Sequence, residues 1–149
     1  MRDMILAHLS QAVPFAAHVG VELTGMGDGE ATARLAERPE GLNHIATHHA
    51  GALFTLAEAA SGAAMAGALA PVLLGVRPVA ASAKIDYRRP AKGLITANAK
   101  TGQDGAALLS DLEANGKVRF GVHVTLQDEA GQEVAVMDVD WHVSKPRAA

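Results

Sequence analysis

The 149-residue chain contains no cysteine. Disulfide frameworks, thiolate metal centres and cysteine nucleophiles are therefore excluded, and the composition fits a reducing cytoplasm. Aromatic residues are scarce as well, 3% of the chain, whereas 49% is apolar, so a core must be assembled from Ala, Val, Leu and Ile. Such side chains let backbones approach closely but bury little area each, and a small domain of this kind gains from a second copy of itself. Charge is sparse: 13 basic and 16 acidic residues give a formal net charge of −3. A general nucleic-acid binder carries a basic face and a strongly positive balance, so that class is set aside. A secretory leader is not expected, because Asp3 and His8 interrupt the N-terminal apolar residues. Residues 50–70 approach the length of a membrane span. They are dominated by Ala and Gly, however, carry Glu58 in the middle and have no companion span. They read as a buried helix of a soluble protein.

What is present is an ordinary globular pattern with no low-complexity linker, repeat or break in composition, so one domain over residues 1–149 is expected. The first ten residues read as a short amphipathic helix. Val21–Met26 and residues 31–36 read as two strands joined across Gly27-Asp28-Gly29. Pro39 and Gly41 punctuate the chain, and residues 50 to about 69 form the only long helical candidate after residue 20, with Thr47 as its candidate N-cap. Strands are expected over residues 80–87, 94–101, 107–113 and 117–126, the last two forming a hairpin across Asn115-Gly116. The final strand alternates Ala135, Met137, Val139, Trp141 and Val143 with Asp138, Asp140 and His142, one face buried and one wet. A helix that is apolar nearly all round must be wrapped on most sides. The expected class is α+β, with an antiparallel meander of about six strands in all curved around one helix.

Glu58 is the most informative residue. It is the only charged side chain between Ala50 and Leu69 and lies among Leu56, Ala57, Ala59 and Ala60. An unpaired carboxylate in such surroundings is expensive to bury, so its pKa rises or it finds a partner. Either it occupies an exposed or hydrogen-bonded position with a purely structural role, or it is a general base or nucleophile. Its helical neighbours Phe54, Thr55, Ser61 and Gly62 form no continuous polar face, which favours the second reading.

The segment N-H-I-A-T-H-H-A-G, residues 43–51, enters this helix. A helix N-terminus offers unpaired N–H groups and the positive end of the dipole, suited to a developing oxyanion. Ala50 and Glu58 are eight residues apart, or about 12 Å along a helix rising about 1.5 Å per residue. One helix cannot bring its own Glu58 to a carbonyl held at its own N-terminus. An antiparallel second copy can, which places a shared site across a two-fold interface.

These residues resemble the hotdog-fold thioesterases, specifically the phenylacetic-acid-pathway (PaaI-like) branch. The resemblance rests on Asn43, on His49-Ala50-Gly51 where that branch carries His-Gly-Gly, and on Leu56-Ala57-Glu58 where it carries Leu-Ala-Asp/Glu. A-A-S-A-K-I-D-Y-R-R-P-A-K-G, residues 80–93, is similar to the branch's strand entering an Arg-Pro-Ala turn. The resemblance implies a hotdog fold and an acyl-CoA thioesterase acting without metal or cofactor, as a homodimer or dimer of dimers. It further implies that Glu58 activates water or attacks the thioester, that the N–H of Ala50 or Gly51 polarises the thioester oxygen, and that Asn43 positions the water or thioester across the interface. His49 would support the turn, and Ser82 is a candidate hydroxyl on the following strand. Two departures stand out: Ala50 narrows the approach that glycine leaves open, and Glu58 replaces the usual Asp.

Lys84, Arg88, Arg89 and Lys92 form a basic cluster that suits the phosphates of a coenzyme A ester, or is simply a solvated strand end. Of seven histidines, His44 and His48 are spaced i,i+4, but they precede the helix and no H-E-x-x-H pattern exists, so no metal site is assigned. Met65 and Trp141 read as core. Two rival functions remain: a hotdog hydratase/dehydratase using His44 and Glu58, and a non-catalytic acyl-binding protein in which Glu58 gates a pocket.

Overall fold

Period-two alternation in the second half of the chain builds strands whose apolar faces all point one way, onto a single helix. The computed structural model describes residues 1–146; residues 147–149, included in the expected domain, lie outside this part. Two short helices, α1 (Arg2–Ala12) and α2 (Pro14–Val19), precede the hairpin β1 (Val21–Met26) and β2 (Glu30–Leu35). The long helix α3 (Ala50–Ala68) follows, then β3 (Arg77–Tyr87), β4 (Ile95–Thr101), a further helix α4 (Gly105–Asn115), β5 (Lys117–Gln127) and β6 (Glu133–Ser144). The six strands form one antiparallel sheet in the order β1-β2-β4-β5-β6-β3.

The strand expectations are corrected in two places. Residues 107–113 are helical, within α4. Asp104 caps that helix by accepting from the Ala107 N–H at 2.8 Å, and Leu108 and Leu112, one turn apart, are buried. The Asn115-Gly116 pair that reads as a hairpin is instead the helix end: Gly116 has φ 73 and its N–H returns to Leu112 O, the left-handed cap that glycine favours. The strands also do not form a simple meander, because β3 crosses to the far edge and pairs with β6. No local signal encodes that crossing.

The sheet wraps α3. Leu56, Ala57, Ala60 and Ala64 of the helix are fully buried against Ala33, Ile95, Ala97, Val122, Val124 and Leu126. Small residues are required here: a Cβ at Gly67 would collide with the carbonyl oxygen of Gly27 in the β1–β2 turn. The N-cap of α3 is His49 rather than Thr47; Thr47 is buried one turn earlier in the entering loop. Helices α1 and α2 cross the opening of the wrap with no fully buried residue of their own. They pack on it through Ile5, Leu9 and Val19. Two arginines tether them to backbone carbonyls, Arg2 to Gly67 O at 3.2 Å and Arg38 to His18 O at 2.8 Å and to Val19 O. Among the described residues no helix is long and apolar enough to cross a membrane.

Candidate active site

Along α3, one stripe escapes full burial. Phe54, Glu58 and Gly62, at successive i+4 positions, are half-buried, whereas their neighbours on the sheet side are buried. Residues four apart on a helix share a face, so Glu58 looks out through the seam where the wrapped sheet fails to meet. Its cavity there has a volume of about 220 Å³ and touches both edges of the sheet: Val21 and Leu23 of β1 on one side, Pro78 of β3 and Trp141 of β6 on the other. Helices α1 and α2 close it with Leu9 and Ala16, and Val13 between them adds to the wall. Burial in these apolar surroundings raises the Glu58 pKa above its ordinary value of 4.5, and among the described residues no hydrogen bond or opposite charge offsets the effect.

The backbone at Glu58 is fixed by a relay that sequence reasoning missed. Ser61 Oγ donates to the Glu58 carbonyl at 2.7 Å, and Trp141 Nε1 donates to Ser61 Oγ at 3.2 Å. Trp141 and Met65 are buried, as expected of core residues, and both also line the Glu58 cavity.

The start of α3 faces a second cavity of about 390 Å³, bounded by Asn43, Ala50, Leu53, Tyr87, Arg88 and Arg89 among others. The Asn43 amide is wholly engaged within its own loop. It donates to Thr47 Oγ1 and His48 O and accepts from the N–H groups of Ile45 and Thr47. Those four bonds use both donors and both lone pairs of the side chain and hold Ala46 at φ 59, a conformation that a non-glycine residue keeps only when its surroundings impose it. Asn43 thus orders the loop rather than offering a free amide.

The two candidate N–H groups differ. Gly51 N–H donates to His49 Nδ1 at 2.8 Å, whereas Ala50 N–H has no acceptor among the described residues. Tyr87, also missed, donates its hydroxyl to Ala50 O at 2.8 Å. Partial burial raises the Tyr87 pKa, which keeps the hydroxyl protonated as a donor. The peptide between Ala50 and Gly51 is therefore held at its oxygen and its N–H, and the Ala50 N–H is left pointing out of an ordered turn.

Residues 2–143 match the family described as a domain of unknown function, DUF4442. The chain belongs to the DUF4442 family. The curated proteins give no match. Solved structures give many. One is a Pseudomonas aeruginosa protein of unknown function described as a probable thioesterase, 25% identical, TM-score 0.84, covering 98% of this chain and 97% of that one. Another is the PaaI protein of the phenylacetic acid degradation operon of Escherichia coli, 20% identical, TM-score 0.75, covering 99% and 96%. A third is a hypothetical thioesterase of Streptococcus pneumoniae solved with coenzyme A, 21% identical, TM-score 0.68, covering 91% and 96%. The DUF4442 chain shares their hotdog fold: one antiparallel sheet around one long helix.

Within one DUF4442 chain the expected site residues fall into separate groups. Glu58 lines the seam cavity beside the middle of α3, whereas Asn43 and Ala50 line the groove at its start, and neither cavity contains both sets. His49 caps the helix through Gly51. Ser82 and Lys84 are placed differently from expectation. They pair opposite Asp140 and Asp138, and directly opposed residues share a sheet face. Both therefore lie on the outer face, away from α3, while Ala83 and Ile85 face the helix side. The basic cluster accordingly splits. Arg88 and Arg89 border the Ala50 groove. Arg88 lies 3.6 Å from Glu133, and Arg89 forms no ion pair among the described residues. Lys92 is exposed outside the groove. His44 is exposed, whereas His48 is buried at 3%, its Nε2 donating to Gly93 O at 2.6 Å and its Nδ1 left without a partner. The two imidazoles do not share a face.

Proposed function

We propose that this DUF4442 protein hydrolyses acyl-CoA thioesters as a homodimer, each site combining Glu58 of one subunit with the Ala50 N–H of the other. The observation that carries the reading is Glu58: a carboxylate with a raised pKa and no partner, in an apolar cavity on the seam of the fold. A carboxylate held in that state accepts a proton more readily than an ordinary one. Glu58 takes the proton of a water molecule as its oxygen attacks the thioester carbonyl. The Ala50 N–H and the dipole of α3 stabilise the oxyanion. Collapse of the tetrahedral intermediate breaks the C–S bond, and the proton held by Glu58 passes to the departing thiolate. The products are a carboxylic acid and coenzyme A.

The edge strand supports pairing of two copies. β3 is 11 residues long and exposed along nearly its whole length, including Val79 at 57% and Tyr87 at 47%. A long, partly apolar edge of this kind is a liability unless another strand covers it. Helix α3 packs chiefly over β2, β4 and β5, so the helix-side face of β3 lies bare and leaves room for a partner's helix. Two-fold pairing through β3 runs the two copies of α3 antiparallel, which the separation of Ala50 from Glu58 requires. Arg88 and Arg89, beside Ala50, then meet the phosphates of the carrier. Asn43 and His49 act as positioning residues that order the oxyanion turn, and structural neighbours described as thioesterases, one solved with coenzyme A, support the class. The test is thiol release from acyl-CoA by Glu58→Gln: a loss of about 10²–10⁴-fold is expected with the fold and dimer intact, and retained hydrolysis would exclude Glu58 as the base.

A further inference from the structure

The seam cavity also limits which acyl group fits beside Glu58. Within one subunit its volume is about 220 Å³. The walls are apolar, chiefly Leu9, Ala16, Leu23, Ala63, Met65 and Trp141. Besides Glu58 the lining carries two polar side chains, and their donors are engaged: the Ser10 hydroxyl donates to Leu6 O at 2.8 Å, and Trp141 Nε1 donates to Ser61. Among the described residues of the subunit, no Lys, Arg or His side chain lines the cavity. A second carboxylate on the acyl group would meet no cation there and would face Glu58, a like charge in a poorly solvated site.

We infer that the substrate acyl group is neutral and apolar, and that α1 and α2 set its length. This rests on the thioesterase reading above. The two helices and their link at Val13 supply Leu9, Val13 and Ala16 to the wall, yet no residue of either helix is fully buried. They can therefore be altered without opening the sheet core.

The test is kcat/KM of the full-length protein on straight saturated acyl-CoAs of two to sixteen carbons and on succinyl-CoA and glutaryl-CoA. A maximum at one chain length is expected, with a fall of at least about tenfold once the chain is longer than the pocket, since each ill-fitting methylene in an apolar pocket is worth about that much. The dicarboxylic esters are expected at least about a hundredfold below the neutral esters of equal length. Ala16→Leu should move the maximum to shorter chains and Leu9→Ala to longer ones, with melting curves reporting that each variant is folded. Hydrolysis at rates independent of chain length, with succinyl-CoA accepted, or with a maximum that neither folded variant moves, overturns this inference and leaves the thioesterase reading standing. If no acyl-CoA of any length is hydrolysed, both fall.

Discussion

The relay from Trp141 through Ser61 to the Glu58 carbonyl makes a double-mutant cycle informative. Ser61→Ala removes the only partner of Trp141 Nε1, on a side chain just 6% exposed. Stranding a buried donor costs about 1–3 kcal/mol. For a chain of this length each kcal/mol lowers the melting temperature by about 2–4 °C, so a drop of about 3–10 °C is expected. Trp141→Phe strands nothing, because Ser61 still donates to Glu58 O; its cost comes from lost contacts and the space left behind. In the double variant no donor is orphaned, so its loss should be smaller than the sum of the single losses by about 1–2 kcal/mol. Urea unfolding followed by circular dichroism measures all three, since Trp141 is the only tryptophan and fluorescence vanishes with it. Additivity within about 0.5 kcal/mol, or an unchanged melting point for Ser61→Ala, would refute the relay.

Three further outcomes are expected. Ala50→Pro removes the proposed oxyanion donor at the first helical position, which tolerates proline, and His49 already has the extended backbone (φ −64, ψ 141) that a residue before proline adopts. Thiol release should fall about 10²–10³-fold with an unchanged melting curve, and full activity would remove Ala50 N–H from the mechanism. Gly67→Ala should cost about 3 kcal/mol or more, since backbone of the β1–β2 turn must move to admit the methyl group; an unchanged melting temperature would show that the helix–turn contact is loose. Glu58 carries a signed pH effect: its carboxyl binds a proton more tightly in the folded protein than at the unfolded value of 4.5. Its ionisation therefore opposes folding, and stability is lost as pH rises from 4.5 through the raised folded value. Glu58→Gln should melt above the wild type at neutral pH, the gap closing below pH 4.5, while wild-type hydrolysis falls on acidification with a midpoint above 4.5. A gap that is constant with pH would contradict the unpaired carboxylate.

Much of this fold is written in local pattern. The alternation along residues 135–143 is β6, and the Ala-rich run with one acid is α3 with Glu58 on its uncovered stripe. Helix α4 is misread because Asn115-Gly116 is equally a hairpin turn and a helix cap, and the burial of Leu108 and Leu112 at helical spacing decides between them. The place of β3 at the far edge is a matter of long-range pairing, invisible to periodicity, and it alone puts Ser82 and Lys84 on the outer face. Asn43 and His49 are recognisable as special residues, yet their saturated hydrogen bonds emerge only once the loop closes on itself. Tyr87 and Ser61 leave no sequence signal, because each acts on a backbone carbonyl rather than through a motif.

Mixing subunits tests the two-subunit site most directly. Ala50→Pro and Glu58→Gln proteins, each nearly inactive alone, are combined in equal amounts and allowed to exchange. In a mixed dimer one site pairs an intact Glu58 with an intact Ala50 N–H, and random exchange makes half the dimers mixed, so thiol release should recover to about a quarter of the wild-type rate. A mixture that exchanges subunits yet stays at the parental rates would contradict a site built across the interface.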